Sequence, residues 1–205
     1  MLLSHDELLT LISNGVIENA TPDLVNGTSI DVTLAPKILV EMPPSNLVIP
    51  SVVSDIPSKA GGMNRAQVKQ VQVVDYRARN GLHMEGAILD YKTGWVMIDP
   101  GSFILCSSEQ IFNLPNDISC EYKLKSSMAR IGLEHLNAGW CDPGWHGSAL
   151  TLEFLNVTRF HSILLRPGDR IGQVVFFRSA PVPEEASYTK RGRYNQDKTV
   201  TGIKP

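Results

Sequence analysis

Short runs of β-forming residues, each closed by a Pro/Gly turn, leave this chain little room for anything but a mainly β fold. Trp95-Val96-Met97-Ile98 runs into Asp99-Pro100-Gly101, and Phe103-Ile104-Leu105-Cys106 comes next. Asn113 to Asp117 turns around Pro115. Ile163-Leu164-Leu165 leads to Arg166-Pro167-Gly168-Asp169, then to Ile171 and Val174-Val175-Phe176-Phe177. Val68, Val71, Val73 and Val74 mark a further β-rich run. Strands of this length and spacing build a sandwich, jelly roll or barrel.

Helices are expected at two places. Ser4-His5-Asp6-Glu7 is a capping box, in which the serine side chain and the glutamate carboxylate each satisfy an amide at the helix start. Leu8, Leu9, Leu11 and Ile12 then form one apolar face, with Gly15 as the stop, so roughly three turns are predicted. A short, Ser-capped helix is predicted over Ser126 to Ile131. Residues 41 to 67, rich in Pro, Ser and Gly, read as a long surface loop. The polar, mixed-charge tail from Pro181 onward reads by itself as a frayed terminus.

The 205 residues suffice for one domain with a sizeable core. A net charge of -2 gives no reason to expect a nucleic-acid or membrane partner, so an anionic ligand would need a local basic cluster. No apolar run is long enough to span a bilayer. The opening MLLSHDELL lacks the basic start and long apolar stretch of a signal peptide. Cys106, Cys120 and Cys141 are odd in number and far apart in sequence, which argues for reduced thiols in a cytoplasmic compartment.

Between Lys125 and Asn156 the chain concentrates chemistry-bearing residues. In Leu150-Thr151-Leu152-Glu153-Phe154-Leu155 the side chains alternate between two faces. Leu150, Leu152 and Phe154 share one face, and Glu153 points to the other with Thr151 and Leu155. A carboxylate in an otherwise apolar strand costs stability unless something uses it. Taken alone, a solvated face or an ion pair would serve. Ser126 and Arg130 are four residues apart and stack on one helical face. With Lys125 and Ser127 at the helix start they could hold an anion, or be ordinary caps and surface charge. Asp142-Pro143-Gly144-Trp145 displays an aromatic beside a carboxylate, suited to a sugar or base, or to a plain hairpin turn.

His83-Met84-Glu85 matches half of the zinc-dependent deaminase signature, but no P-C-x-x-C comes after it. The isolated cysteines offer no zinc site of the usual spacing. Asp99-Pro100-Gly101 lacks the aromatic found directly after Asp142-Pro143-Gly144 and reads as a turn only.

In order along the chain, these pieces resemble the dCTP deaminase family of the trimeric dUTPase-like superfamily. MLLSHDELLTLI is similar to the family's N-terminal helix, and Asn26-Gly27-Thr28-Ser29-Ile30-Asp31 to its "SIDL" strand. Asp99 to Leu105 resembles "PGEFVL", and Lys125 to Leu133 resembles "GRSSLARLGL". Ala138 to Trp145 resembles "AGWIDPGF", Leu152 to Asn156 "LEFYN", and Arg166 to Gln173 "LRPGMRIGQ".

The resemblance implies a distorted β-barrel or jelly roll with a few short helices, residues 1–180, carrying a lid segment, residues 181–205. It implies a homotrimer with active sites between subunits. It implies hydrolytic deamination of dCTP to dUTP and ammonia, without zinc, with Mg2+ bound through the nucleotide phosphates. Glu153 matches the catalytic glutamate, which moves protons between water and the departing amine. Arg130 and Ser126 match the residues that hold the water and polarise the base. Lys125, where the family often has arginine, would contact phosphates with Ser127 and Gln173. Trp145 would pack on the deoxyribose, Asp142 accept from the 3′-hydroxyl, and Ala138 line the base pocket. Tyr188, Arg193 and Tyr194 resemble the family's lid, which folds over the triphosphate.

Three departures leave questions open. Asn137 stands where the family usually has threonine, in the loop linked to dTTP feedback, while His135 matches a family histidine there. Asp197 falls on the lid glutamine, so Gln196 takes over after a one-residue shift, or the ligand carries fewer phosphates. The segments 41 to 67 and Arg77 to Thr93 exceed what the family core needs. Two alternatives stay beside the deaminase reading. One is a dUTPase or bifunctional enzyme releasing dUMP and pyrophosphate. The other is a non-catalytic, nucleotide-sensing trimer.

Overall fold

A computed structural model describes residues 1–42 and 82–204. The Val68 to Val74 run and nearly all of the expected 41–67 loop lie outside the described residues.

The chain opens with helix α1 (His5–Ser13), whose capping box is formed: the Ser4 amide and hydroxyl both donate to Glu7 Oε2 at 2.9 Å. Leu8 and Leu11 are buried, Leu9 and Ile12 half-buried. Asn14 caps the end and Gly15 comes next at φ +70°. The apolar stripe turns α1 onto the core, where most of a short helix's stability arises.

Beyond α1 the chain is β-rich, as the turn spacing requires. The strands are β1 (Ile17–Glu18), β2 (Ile30–Thr33), β3 (Lys37–Glu41), β4 (Met84–Ile88), β5 (Val96–Ile98), β6 (Phe103–Asn113), β7 (Ile118–Leu124), β8 (Leu133–Glu134), β9 (Trp140–Cys141), β10 (His146–Asn156), β11 (Ile163–Leu165) and β12 (Arg170–Arg178). Helix α2 (Ser126–Arg130) lies between β7 and β8, and α3 (Tyr188–Arg191) lies in the tail. Among the described residues no helix is long and apolar enough to cross a membrane.

One sheet runs β4-β3-β6-β10-β8, with β1 also on β6; a second runs β2-β12-β7-β9; β5 and β11 form a separate ribbon. A bridge between Leu34 and Ser108 ties the first two together. Their inner faces enclose Phe112, Tyr122, Phe154 and Phe176. The result is the mainly β fold with few short helices that the sequence leads one to expect.

Several local expectations need correction. Helix α2 is not Ser-capped. Lys125 is the cap residue, with extended φ/ψ of −65° and 138°, and Ser126 is already the first helical position. The helix therefore begins one residue earlier than the serine pattern suggests, directly after β7 ends at Leu124 and Lys125 turns the chain. Strands β3 and β4 form an antiparallel pair that extends the large sheet, so Met84 and Glu85 belong to its edge strand, with His83 just before it. The cysteines are free and buried, but Cys120 and Cys141 are not far apart: they face each other across β7 and β9. The tail is not frayed. Val182 N–H donates to Asn116 O, Ser187 is buried, and Val200 reaches 1% exposure.

Candidate functional site

Strand β10 alternates as its sequence dictates: Leu150, Leu152 and Phe154 face the core, and Thr151, Glu153 and Leu155 face the opposite side. Glu153 lies across from Leu105 of β6. Its side chain is 29% exposed, its Oε2 atom is buried, and burial pushes its pKa up to about 7. A carboxyl in that range can both take and return a proton near neutral pH.

Glu153 opens into a cavity of about 330 Å³. Its walls are Leu105 from β6, the loop and strand residues Ala138, Trp140 and Cys141, and Trp145, Ala149, Leu150 and Thr151 of the β10 arm. The tail supplies Tyr188, Tyr194, Asp197, Thr201, Gly202 and Ile203. The size and largely apolar lining suit a base and sugar. Among the described residues lining it there is no lysine or arginine.

Main-chain bonds seat the tail over this cavity. Tyr194 O accepts from Trp145 Nε1 at 2.9 Å and from Ser148 Oγ at 2.8 Å. Ala149 N–H donates to Asp197 O at 2.8 Å, and Asp197 N–H donates back to Ser148 Oγ. The Asp197 carboxylate, a concern beside an anionic ligand, is held by the Lys204 ammonium at 2.6 Å. Gln196 adopts φ +64°, and its side chain meets His146 Nε2. Arg193 is exposed, and its carbonyl accepts from Lys204 Nζ. Trp145 lines the cavity and is also core: it stacks on Phe112 with ring centroids 5.5 Å apart.

The turn under the tail depends on Gly144, at φ +84°, where a Cβ would overlap the Ser187 hydroxyl. Gly144→Ala is expected to loosen the segment from Ser187 onward and to speed tryptic cleavage at Lys190 to Arg193 by roughly tenfold. Limited proteolysis coupled to mass spectrometry reads this directly.

The remaining candidates gather elsewhere. Lys125 Nζ bonds Asp31 at 2.6 Å, and Asp31 is 2% exposed. Arg170 Nη1 reaches the other Asp31 oxygen at 3.4 Å, and Asn26 Nδ2 donates to Asp31 at 2.8 Å. Gln173 Oε1 accepts from Ser29 Oγ at 3.1 Å. Ser126, Ser127 and Arg130 stand exposed on α2, beside this network. Asp142 is exposed and accepts from Trp140 Nε1 at 2.9 Å. Within one chain, then, Glu153, Ala138, Trp145, Tyr188 and Tyr194 share the cavity. Ser126, Ser127, Arg130, Lys125, Gln173, Asp142, Arg193 and Gln196 do not line it.

Sequence reasoning gave no role to Asp31, although a carboxylate between Ile30 and Val32 is the same signal that singled out Glu153. Asn137 takes φ +59° in the loop before the cavity, next to Leu136 at +46°. Asparagine accepts the left-handed region far better than a β-branched residue, which accounts for its standing where threonine would strain. Among the described residues no group of three His, Cys, Asp or Glu converges to hold a metal.

A family described as dCTP deaminase-like matches residues 58–179. A dCTP deaminase from Thermococcus kodakarensis is 37% identical over 125 residues, 60% of this chain and 77% of that protein. A dUMP-forming dCTP deaminase from Acidothermus cellulolyticus is 42% identical over 93 residues, 45% of this chain and 47% of that protein. The chain thus spans about half the length of that relative. The crystal structure of 2′-deoxycytidine 5′-triphosphate deaminase from Agrobacterium tumefaciens superimposes with a TM-score of 0.57 at 19% identity, over 85% of this chain and 48% of that one. At that identity the likeness concerns the fold alone.

Proposed function

Because the chain belongs to the dCTP deaminase-like family, we propose that it hydrolyses dCTP to dUTP and ammonia. The observation that carries this reading is Glu153, a carboxyl pushed up to about 7 by burial, opening into a cavity of base-and-sugar size. Glu153 takes a proton from water as its oxygen attacks C4 of cytosine, and passes it to the amine, which leaves as ammonia. Atoms balance with one water consumed, and the carboxyl ends as it began. The proton transfers require only this carboxyl.

Arg130 and Ser126 polarise the base and hold the water, and they do so from a neighbouring subunit of a homotrimer. Two facts support that arrangement. Neither residue lines the Glu153 cavity of its own chain, and the described residues of the cavity wall include no lysine or arginine. Lys125, Ser127 and Gln173 meet the phosphates, with residues 181–205 as the lid that covers them. Lysine at 125 supplies charge without the two-pronged geometry of arginine. Trp145 packs against the sugar, Ala138 against the base, and Asp142 accepts from the 3′-hydroxyl. Tyr188, Arg193, Tyr194 and Gln196 close over the triphosphate. Mg2+ belongs to the nucleotide in this scheme, neutralising phosphate charge.

A second reading, in which the same site carries dUTP on to dUMP and pyrophosphate, is favoured by the dUMP-forming relative and by Asp142, exposed with Trp140 Nε1 as its partner. Incubation with dCTP, dCMP and dUTP side by side, with Mg2+, separates the readings. Ammonia is expected from dCTP. Pyrophosphate released from dUTP adds the second step; dCTP left intact refutes the deamination, and dUTP left intact refutes the second step.

A further inference from the structure

Beside the cavity, two buried polar atoms face each other without a hydrogen bond. His135 Nε2 and Glu153 Oε2 are 3.7 Å apart, and neither has another partner among the described residues. Unpaired buried groups of this kind are rare and costly. The imidazole sits directly after β8, whose Glu134 pairs with Leu155 of β10. Its ring is fixed between Tyr122, at 4.4 Å edge to face, and Phe154, at 6.1 Å. The His135 amide donates to the Glu134 carboxylate. The two rings flank the imidazole, and a small rotation of the Glu153 carboxyl closes the gap.

We propose that His135 is a positioning residue for Glu153, its Nε2 holding the Oε2 atom so that the other oxygen points into the cavity. This rests on the deaminase reading for its function, but not for its geometry. A shuttle carboxyl that spins between rotamers loses rate, because the reacting oxygen must be within reach of water and amine in turn. A cation could also hold it, yet a cation would favour the carboxylate and destroy its proton affinity. A neutral imidazole orients at a much smaller cost in proton affinity than a full charge would. Burial keeps His135 neutral, with its pKa down at about 4. Within the chain, the other titratable groups around the pair do not supply a competing charge to Glu153. Cys106 on β6 and Tyr122 on β7 are pushed up by burial, and Tyr188 is raised likewise. Glu134 bonds the His135 amide, Asp197 is taken by Lys204, and Tyr194 lies beneath that lysine.

The test reads the carboxyl itself. Difference infrared spectroscopy, with Glu153→Gln as the reference, tracks the Glu153 titration in the wild type, His135→Phe and His135→Gln. Removing the Nε2 donor is expected to raise the midpoint by about one pH unit in His135→Phe. The amide of His135→Gln is expected to return it. In parallel, kcat for dCTP is expected to fall about thirtyfold in His135→Phe with KM within threefold, and to recover in His135→Gln. A midpoint that stays put in His135→Phe, or that His135→Gln fails to restore, overturns the proposal. If His135→Phe does not fold, His135→Asn, too short to reach Oε2, takes its place with the same expected shift. If no variant nor the wild type releases ammonia, the deaminase reading fails while the titration still decides the contact.

Discussion

Glu153→Gln is expected to lower kcat for dCTP by about a thousandfold, with KM little changed, while making the protein more stable at pH 8. The two effects share one cause. The folded carboxyl titrates at about 7, against an ordinary value of 4.5. At pH 8 it is charged both folded and unfolded, and the fold carries the cost of a half-buried charge. Glutamine removes that charge and keeps the shape, a gain of about 2 kcal/mol. Between pH 4.5 and 7 the folded wild type binds a proton that the unfolded chain lacks. Its stability therefore rises as pH falls through 7 and is lost again as pH climbs past it. The advantage of Glu153→Gln should thus shrink on acidification from about pH 8 to about pH 5. Urea midpoints of the two proteins across that range test it. A difference that stays constant with pH would falsify the raised carboxyl, and full activity in the variant would remove Glu153 from the chemistry.

The second large effect comes from mixing two dead proteins. Arg130→Ala is expected to lose activity about as completely as Glu153→Gln, because each removes one side of a shared site. When the two variants are co-refolded, some sites combine an intact Glu153 from one chain with an intact Arg130 from another. Random assembly restores about one quarter of the sites. Recovered ammonia release near that fraction supports sites built across subunits, and no recovery places Arg130 and Glu153 in one chain's site. The structure motivates the experiment. Arg130 is exposed on α2 and, among the described residues, no ion pair engages it, while Glu153 looks into a cavity whose described lining holds no lysine or arginine.

Patterns that depend on neighbours in the chain could be read from sequence. The capping box of Ser4 and Glu7, the turns at Pro100, Pro115 and Pro167, and the two faces of Leu150 to Leu155 are local patterns with local causes. Features that escaped reading depend on partners far away. Lys125 rather than a serine caps α2 because β7 runs to Leu124 in register with Gly172 of β12. Asp31 is tolerable inside β2 because Lys125 and Arg170 arrive from far downstream in the chain. Cys120 and Cys141 meet only because β9 pairs with β7. The tail's polarity suggests fraying, yet its main chain finds donors and acceptors on Trp145, Ser148 and Ala149. At the site, Glu153 was legible as an anomaly in its strand. The facing imidazole of His135 was not, since nothing in the spacing from 135 to 153 says that β8 and β10 are neighbours.

The seating of the tail has a consequence for how freely its text can be rewritten. The atoms that dock it at 194 and 197 are carbonyls and amides, which every residue but proline shares. Substitutions there keep these main-chain bonds, so the cost of changing the side chains at 194 and 197 falls on the contacts with Lys204 and with the cavity rather than on the docked main chain. Proline at 197, which lacks the amide that Ser148 receives, is the exception.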